Sequence, residues 1–233
     1  AYLPDTADGS PGELGYISPA TGYLTVYRKR LDGGRPHKIV TAGRTADLES
    51  FHAFESRMDA SRRGYLLFTA RYGDRDALVI WDLKRGKVAG RYQFDRLVSI
   101  LSPMWMPDGQ SVVFSGLSES GLSDLYRVRL PQGTLEALTR DRYQDLDPSP
   151  TSDGTRLVFA SDRTAGGLDG AVNLFLLDLT TGSIRQLTQG APLRGERRLG
   201  IDPGCAKRRP EASEPLFTKA LSMHPRLASA QFG

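Results

Sequence analysis

Asp145 and Asp147, in the stretch "YQDLDPSP", are the acidic residues whose type and spacing come nearest to chemistry in this chain. Paired carboxylates can hold a cation between them. The pair also has a plainer use, which is preferred here: carboxylates flanking the start of a strand cap its turn through bonds to backbone N–H groups. The segment "DRTAGGLDG", Asp162 to Gly170, looks faintly like a calcium loop. It lacks the EF-hand spacing and the terminal Glu, so it reads as an inter-strand loop. A nucleophile elbow needs Gly-x-Ser-x-Gly on a strand-to-helix turn. "GLSES" (Gly116–Ser120) fails at the last position and lies between two apolar runs. His-Glu-x-x-His is absent. The histidines are His37, His52 and His224, too scattered to build a triad. No phosphate loop is present, because the glycine-containing stretches all punctuate hairpins. The single cysteine, Cys205, excludes an internal disulfide, and no zinc-type spacing occurs. The chain is therefore expected to be non-catalytic, with no cofactor and no metal.

The elements that position these residues repeat. "YLLFTA", "SVVFSG" and "RLVFAS" end their apolar runs at Phe68, Phe114 and Phe159, spaced 46 and 45 residues apart. The strand and turn that follow repeat too, with Gly86, Gly133 and Gly182 at intervals of 47 and 49. A fainter copy precedes them in "LGYIS", "YLTVYRKRLDGG" and "PHKIV". Each unit opens with a short strand and a tight turn, "PDG" at Pro107–Gly109 or "SDG" at Ser152–Gly154. Asp-Gly predicts a two-residue hairpin turn. The second and third strands are apolar on successive residues, which predicts burial on both faces. The fourth, as in "SIRQLT", is more polar and reads as an edge. Four antiparallel strands every 45 or so residues predict the blades of a β-propeller. A β-sandwich explains short strands but not so regular a period. Trp105 falls between strand and turn in this plan and is expected to pack between blades. Asp124 and Asn173 stand at matching positions before the third strand, where a repeated capping role is expected.

At these residues the chain resembles the WD-like repeats of TolB-type propellers. The family pattern runs Pro-x-Trp-Ser-Pro-Asp-Gly, an apolar strand ending Phe-x-Ser, Gly-x-x-Asp-Leu-Tyr, a Thr-Gly turn and Leu-Thr. Pro103, Trp105, Pro107, Asp108, Gly109, Phe114, Asp124, Leu125 and Tyr126 match it, as do Thr181, Gly182, Leu187 and Thr188. Pro150 and Ser152 depart from it in the next copy, and "MDASRRG" departs further in the copy before. The resemblance covers roughly residues 13–190. It implies a non-enzymatic propeller, periplasmic or otherwise extracytoplasmic in bacteria, that scaffolds protein interactions or forms the propeller half of a larger peptidase or hydrolase.

The expected organisation is an N-terminal extension or end of an upstream region over 1–12, blades at about 13–45, 50–95, 97–140 and 142–190, and an irregular basic tail over 191–233. Four blades fall short of the family's six or so, so an incomplete six- to eight-bladed propeller is expected. The tail has no apolar strand and no Asp-Gly turn. It reads as foreign to the fold, a frameshifted or misjoined end, with a genuine disordered or partner-binding tail as the alternative. Its "EPLFTKALSMH" could form one short amphipathic helix. The net charge of +4 belongs to this tail, which holds eight Lys/Arg against four Asp/Glu; the rest carries 23 of each sign. A nucleic-acid-binding face is thus not expected. No run of about 18 apolar residues exists to span a membrane.

In an antiparallel meander, alternate connections share an end. The short Asp-Gly and Thr-Gly turns lie at one end, and the longer loops and blade connectors lie at the other. Loops on a rigid scaffold are where binding usually sits. Arg71, Arg75, Arg142, Tyr143, Asp145 and Arg163 populate them and are the expected binding face for a protein or peptide partner, since Arg and Tyr are favoured at interfaces.

Overall fold

The computed structural model describes residues 2–3, 12–20, 22–41, 50–51, 57–163 and 172–189. All regular structure among them is β. Four antiparallel meanders follow one another, as the repeats predict. The first holds β1 (Tyr2–Leu3), β2 (Glu13–Ser18), β3 (Thr25–Arg30) and β4 (His37–Thr41). The second holds β5 (Ser50–Phe51), β6 (Asp59–Ala60), β7 (Tyr65–Tyr72), β8 (Arg75–Asp82) and β9 (Lys87–Tyr92). β5 and β6 both pair with β7 and together fill the first-strand position. The third holds β10 (Leu97–Trp105), β11 (Ser111–Ser118), β12 (Ser123–Arg129) and β13 (Thr134–Ala137). The fourth holds β14 (Asp145–Pro150), β15 (Arg156–Ser161), β16 (Asn173–Asp178) and β17 (Ile184–Gln186). Within the stretch read as an extension, Tyr2 and Leu3 pair with Leu14 and Glu13 and supply the first blade's first strand.

The reason for the unbroken apolar runs is visible in what each residue faces. Successive side chains of a strand point to opposite faces. In β7, Leu66, Phe68 and Ala70 join a core shared with Val26 and Val40 of the first blade. Leu67, between them, faces the third blade and packs with Leu97, Ile100, Val112 and Phe114. In β11, Val113 turns the other way, toward Leu157, Phe159, Phe175 and Leu177 of the fourth. A strand sandwiched between two neighbouring blades needs an apolar residue at every position. The three inter-blade cores account for most of the buried apolar side chains.

β15 and β16 differ. Both are as apolar in sequence as β11, yet burial alternates along them. Leu157, Phe159, Phe175 and Leu177 are buried against the third blade. Val158, Ala160, Leu174 and Leu176 are half-buried. Among the described residues no further blade covers that second face.

The Asp-Gly turns are longer than the two-residue form. Met106 N–H donates to Ser111 C=O at 2.9 Å and Gly109 N–H to Met106 C=O at 2.9 Å. Only Gly109 takes a left-handed backbone, φ 62°. Asp108 explains the difference. Its carboxylate accepts from the N–H of Gln110 and Ser111 and from the Ser111 hydroxyl, which fastens the loop without left-handed φ at Asp108. The Thr151–Arg156 turn repeats this plan, with Gly154 at φ 70°.

Candidate interaction face and the blade junctions beneath it

The first strands of neighbouring blades approach one another, β6 to β10 and β10 to β14. β10 and β14 carry a break in register at the same place, β10 between Leu101 and Met104 and β14 between Leu146 and Ser149. Ser102 and Asp147 sit in these breaks with φ 50° and 52°, a region non-glycine residues rarely adopt. Arg57 holds the matching place ahead of β6, so Arg57, Ser102 and Asp147 are spaced 45 residues apart. Ser102 Oγ donates to Asp147 Oδ1 at 2.5 Å, and the Arg57 guanidinium lies 3.4 Å from Asp147 Oδ2. Three successive blades are thus tied at equivalent points.

At the long-loop end, the connections bring the six expected residues into two groups. Arg71 and Arg75 flank the β7–β8 turn. Arg75 donates to the backbone carbonyl of Asp95 at 2.5 Å and to Glu119 Oε1 at 2.7 Å, both beyond its own blade. Arg71 bonds the carbonyls of Gly73 and Asp74 and reaches Val98 C=O at 3.5 Å. Asp76, buried beside it, accepts from Ser99 Oγ at 2.6 Å and Ile100 N–H at 2.9 Å. These bonds stitch the second blade to the third.

The other four residues meet at the junction of the third and fourth blades. Arg163 donates to Asp145 Oδ2 at 2.5 Å and lies 3.0 Å from Asp141 Oδ2. Its guanidinium stands 5.3 Å from the Tyr143 ring centre, and Arg142 stands 5.3 Å from the same ring. Arg142 is exposed, Tyr143 is half-buried, and Asp145 is fully buried. Asp145 therefore braces Arg163 from below. The neighbouring Asp147 is exposed and turned to Ser102, so the two carboxylates do not share one site.

Asp145 instead clusters with Asp124 and Asp141, and one carboxylate oxygen from each of the three lies within 4.8 Å of the others. Such a trio could ligate a hard cation. Arg163 already spans two of the three and supplies the positive charge. Burial pushes the Asp145 carboxyl above its ordinary range, and the bond from Arg163 pulls against it. Oδ1 of Asp145 is buried and meets no hydrogen-bond donor among the described residues, while the Ser161 and Thr139 hydroxyls, like Arg163, act to lower the carboxyl. Burial raises Asp124 as well, and the charges of Asp145 and Asp141 push the same way.

Asp124 Oδ1 accepts from Thr139 Oγ1 and Asp141 N–H, while Thr139 Oγ1 accepts from Leu125 N–H at 2.9 Å. Asn173 and Thr188 repeat two of these bonds, with Thr188 Oγ1 donating to Asn173 Oδ1 at 3.2 Å and Leu174 N–H donating to Thr188 Oγ1 at 2.9 Å. The expected capping role thus fastens the third strand to the end of its blade. His37 is exposed on β4 and makes no side-chain hydrogen bond among the described residues. His52, His224, residues 164–170 of the Asp162–Gly170 loop and the whole tail over 191–233 lie outside the described residues. The three-blade tie through Arg57, Ser102 and Asp147 was not anticipated. Its residue types differ from blade to blade, and only the 45-residue spacing marks it.

No family model matches the chain. Over 171 residues it is 33% identical to a protein called "Protein TolB homolog" from Chlorobium luteolum, covering 73% of this chain and 35% of that one. The chain thus spans about a third of the length of that curated relative. The crystal structure of TolB from Acinetobacter baumannii superposes with a TM-score of 0.62 at 21% identity, over 78% of this chain and 42% of that one. The tricorn protease superposes with a TM-score of 0.57 at 14% identity, over 81% of this chain and 16% of that one.

Proposed function

Because the chain belongs to the TolB-type β-propeller family, we propose that it works as a non-catalytic module that holds a protein or peptide partner at its long-loop end. The observation that carries this reading is the stack of Arg142 and Arg163 about the Tyr143 ring. Arg and Tyr supply large contact area and are enriched among residues that dominate binding energy. Tyr143 is already held by two guanidiniums, and Arg142 also donates to its hydroxyl at 3.3 Å, so docking a partner costs it little rotamer freedom. Arg142 and Tyr143 are the groups a partner would touch. Arg163 and Asp145 hold them from beneath, and Arg71 and Arg75 fix the neighbouring loops. The family resemblance supports an extracytoplasmic setting for this activity.

The test is capture of extracytoplasmic proteins by the whole chain and by an Arg142→Ala/Tyr143→Ala variant, with Arg35→Ala as control. Loss of captured proteins in the double variant alone supports the reading. Unchanged capture of every protein sinks it.

A second reading is the accessory propeller of a larger peptidase or hydrolase, favoured by the fold shared with the tricorn protease. The complete open reading frame separates the two. A Gly-x-Ser-x-Gly or His-Glu-x-x-His domain on the same polypeptide supports the second.

A further inference from the structure

At the opposite end, where the short turns gather, a groove of about 430 Å3 opens between the second and third blades. That is the size of sites that take small ligands or peptide side chains, roughly 300–1,000 Å3. Its walls include Tyr65, Tyr92, Trp105 and Pro131, and no carboxylate lines it. Tyr92 is held in place: its hydroxyl donates to Pro131 C=O at 3.1 Å. Glycines make room for that ring. A Cβ at Gly133 would stand 2.8 Å from it, and one at Gly90 would stand 3.0 Å from it. The aromatic wall is therefore ordered without any ligand.

Polar groups at the groove are unspent. The Trp105 indole N–H is buried and has no acceptor among the described residues. An orphaned donor of that kind costs about 1–3 kcal/mol and calls for a reason. The Arg63 guanidinium, which lies over Gly109, and the Gln110 amide make no side-chain hydrogen bond or ion pair among the described residues. Along the groove runs β9, which contributes Ala89 and Gly90. β9 pairs only with β8, so its other edge is open among the described residues. Lys87, at its start, is exposed and also has no ion pair there.

We propose that this groove binds an extended acidic segment of a partner protein. The segment adds as a strand to the open edge of β9. It lays an apolar side chain against Tyr65, Tyr92 and Pro131, and sets a carboxylate against Arg63. A peptide carbonyl entering beside Trp105 gives the buried N–H its acceptor. The cations Arg63 and Lys87, with no acid among the lining residues, select against a basic segment. This site lies at the other end of the strands from Arg142 and Tyr143, and it stands or falls independently of them.

Trp81 and Trp105 are the only tryptophans. The whole chain carrying Trp81→Phe therefore reports on the groove through Trp105 emission alone. The probes are a capped heptapeptide alternating glutamate with valine, its lysine counterpart, and benzoate. A saturable emission change is expected with the glutamate peptide. At least a tenfold loss of affinity is expected on adding Arg63→Glu, and the same loss with the lysine peptide. The proposal is overturned by no saturable change up to millimolar peptide, or by equal binding of the lysine peptide. Indifference to Arg63→Glu overturns it as well. Benzoate bound as tightly as the peptide overturns a peptide occupant, and loss of peptide binding in Arg142→Ala/Tyr143→Ala places the peptide elsewhere and overturns the site.

Discussion

Ser102 donates its hydroxyl hydrogen to Asp147 at 2.5 Å, and the two residues hold the same position in successive blades. Each sits in a register break with a left-handed backbone. Ser102→Ala keeps the strained backbone and removes the bond. A loss of about 1–2 kcal/mol is expected, in the range of a bond to a charged group trimmed for the exposure of Asp147. Urea titration of Ser102→Ala, Asp147→Ala and the pair measures it. If the two single losses simply add, the bond is not the reason these residues matter.

Arg163 is a sharper case, because its partner Asp145 has no access to water. Arg163→Met leaves a buried carboxylate facing two others. Breaking such a pair from one side typically costs about 3–5 kcal/mol. Adding Asp145→Asn should return a large part of that loss, since it removes the stranded charge. Thermal unfolding of the single and double variants decides this. A double variant no more stable than Arg163→Met alone would show that packing on Phe159 and Phe175, not charge, holds Arg163.

Acid acts on the turns in the opposite sense to the buried cluster. The Thr151 hydroxyl and the Thr155 N–H hold the Asp153 carboxyl down at about 2. A carboxyl lowered by folding stabilises the fold above its unfolded value of 3.8, and that contribution fades as pH falls toward about 2. Asp108 and Asp178 are lowered by the N–H and hydroxyl groups of their own turns, against the opposing effect of desolvation at Asp108. Asp145 and Asp124 are raised, so their charge costs stability above 3.8 and protonation relieves it. Thr151→Val should bring the Asp153 carboxyl back toward 3.8. Carboxyl carbon shifts followed from pH 6 to 1.5 test this, and an unmoved midpoint would refute the Thr151 contribution.

Gly116 is needed for space rather than for a turn. A Cβ there would lie 2.8 Å from the Tyr126 ring and 2.9 Å from Leu97 Cδ1, in the middle of an inter-blade core. Gly116→Ala is expected to cost about 1–3 kcal/mol, as overpacking does. Gly182→Ala meets no side chain but takes φ 73°, and should cost about 1 kcal/mol. Equal losses at the two positions would argue against crowding at Gly116.

The blade plan was legible because burial on two faces writes itself as an unbroken apolar run, as in Val112–Val113–Phe114. The Asp124–Thr139 and Asn173–Thr188 caps were half legible, since their first members repeat in place. Asp145 was not. Nothing in "YQDLDPSP" tells that the first aspartate turns inward to Arg163 while the second turns to Ser102; the register break between Leu146 and Ser149 decides that. Val158 and Leu176 show the converse limit. A run such as "RLVFAS" encodes two faces to be covered, and the half-buried face of β15 and β16 depends on what lies beside the blade.

The uneven covering of the blades sets an order of opening. Among the described residues β7 and β11 are locked from both sides, while β15 and β16 are gripped on one. Amide hydrogens should therefore exchange latest in β11 and earliest in β17, with the fourth blade peeling away before the middle two part. As it peels it carries off Arg163, the counter-charge that quiets Asp141 and leaves Tyr143 flanked. The long-loop end would then lose its shape while most of the protein is still folded.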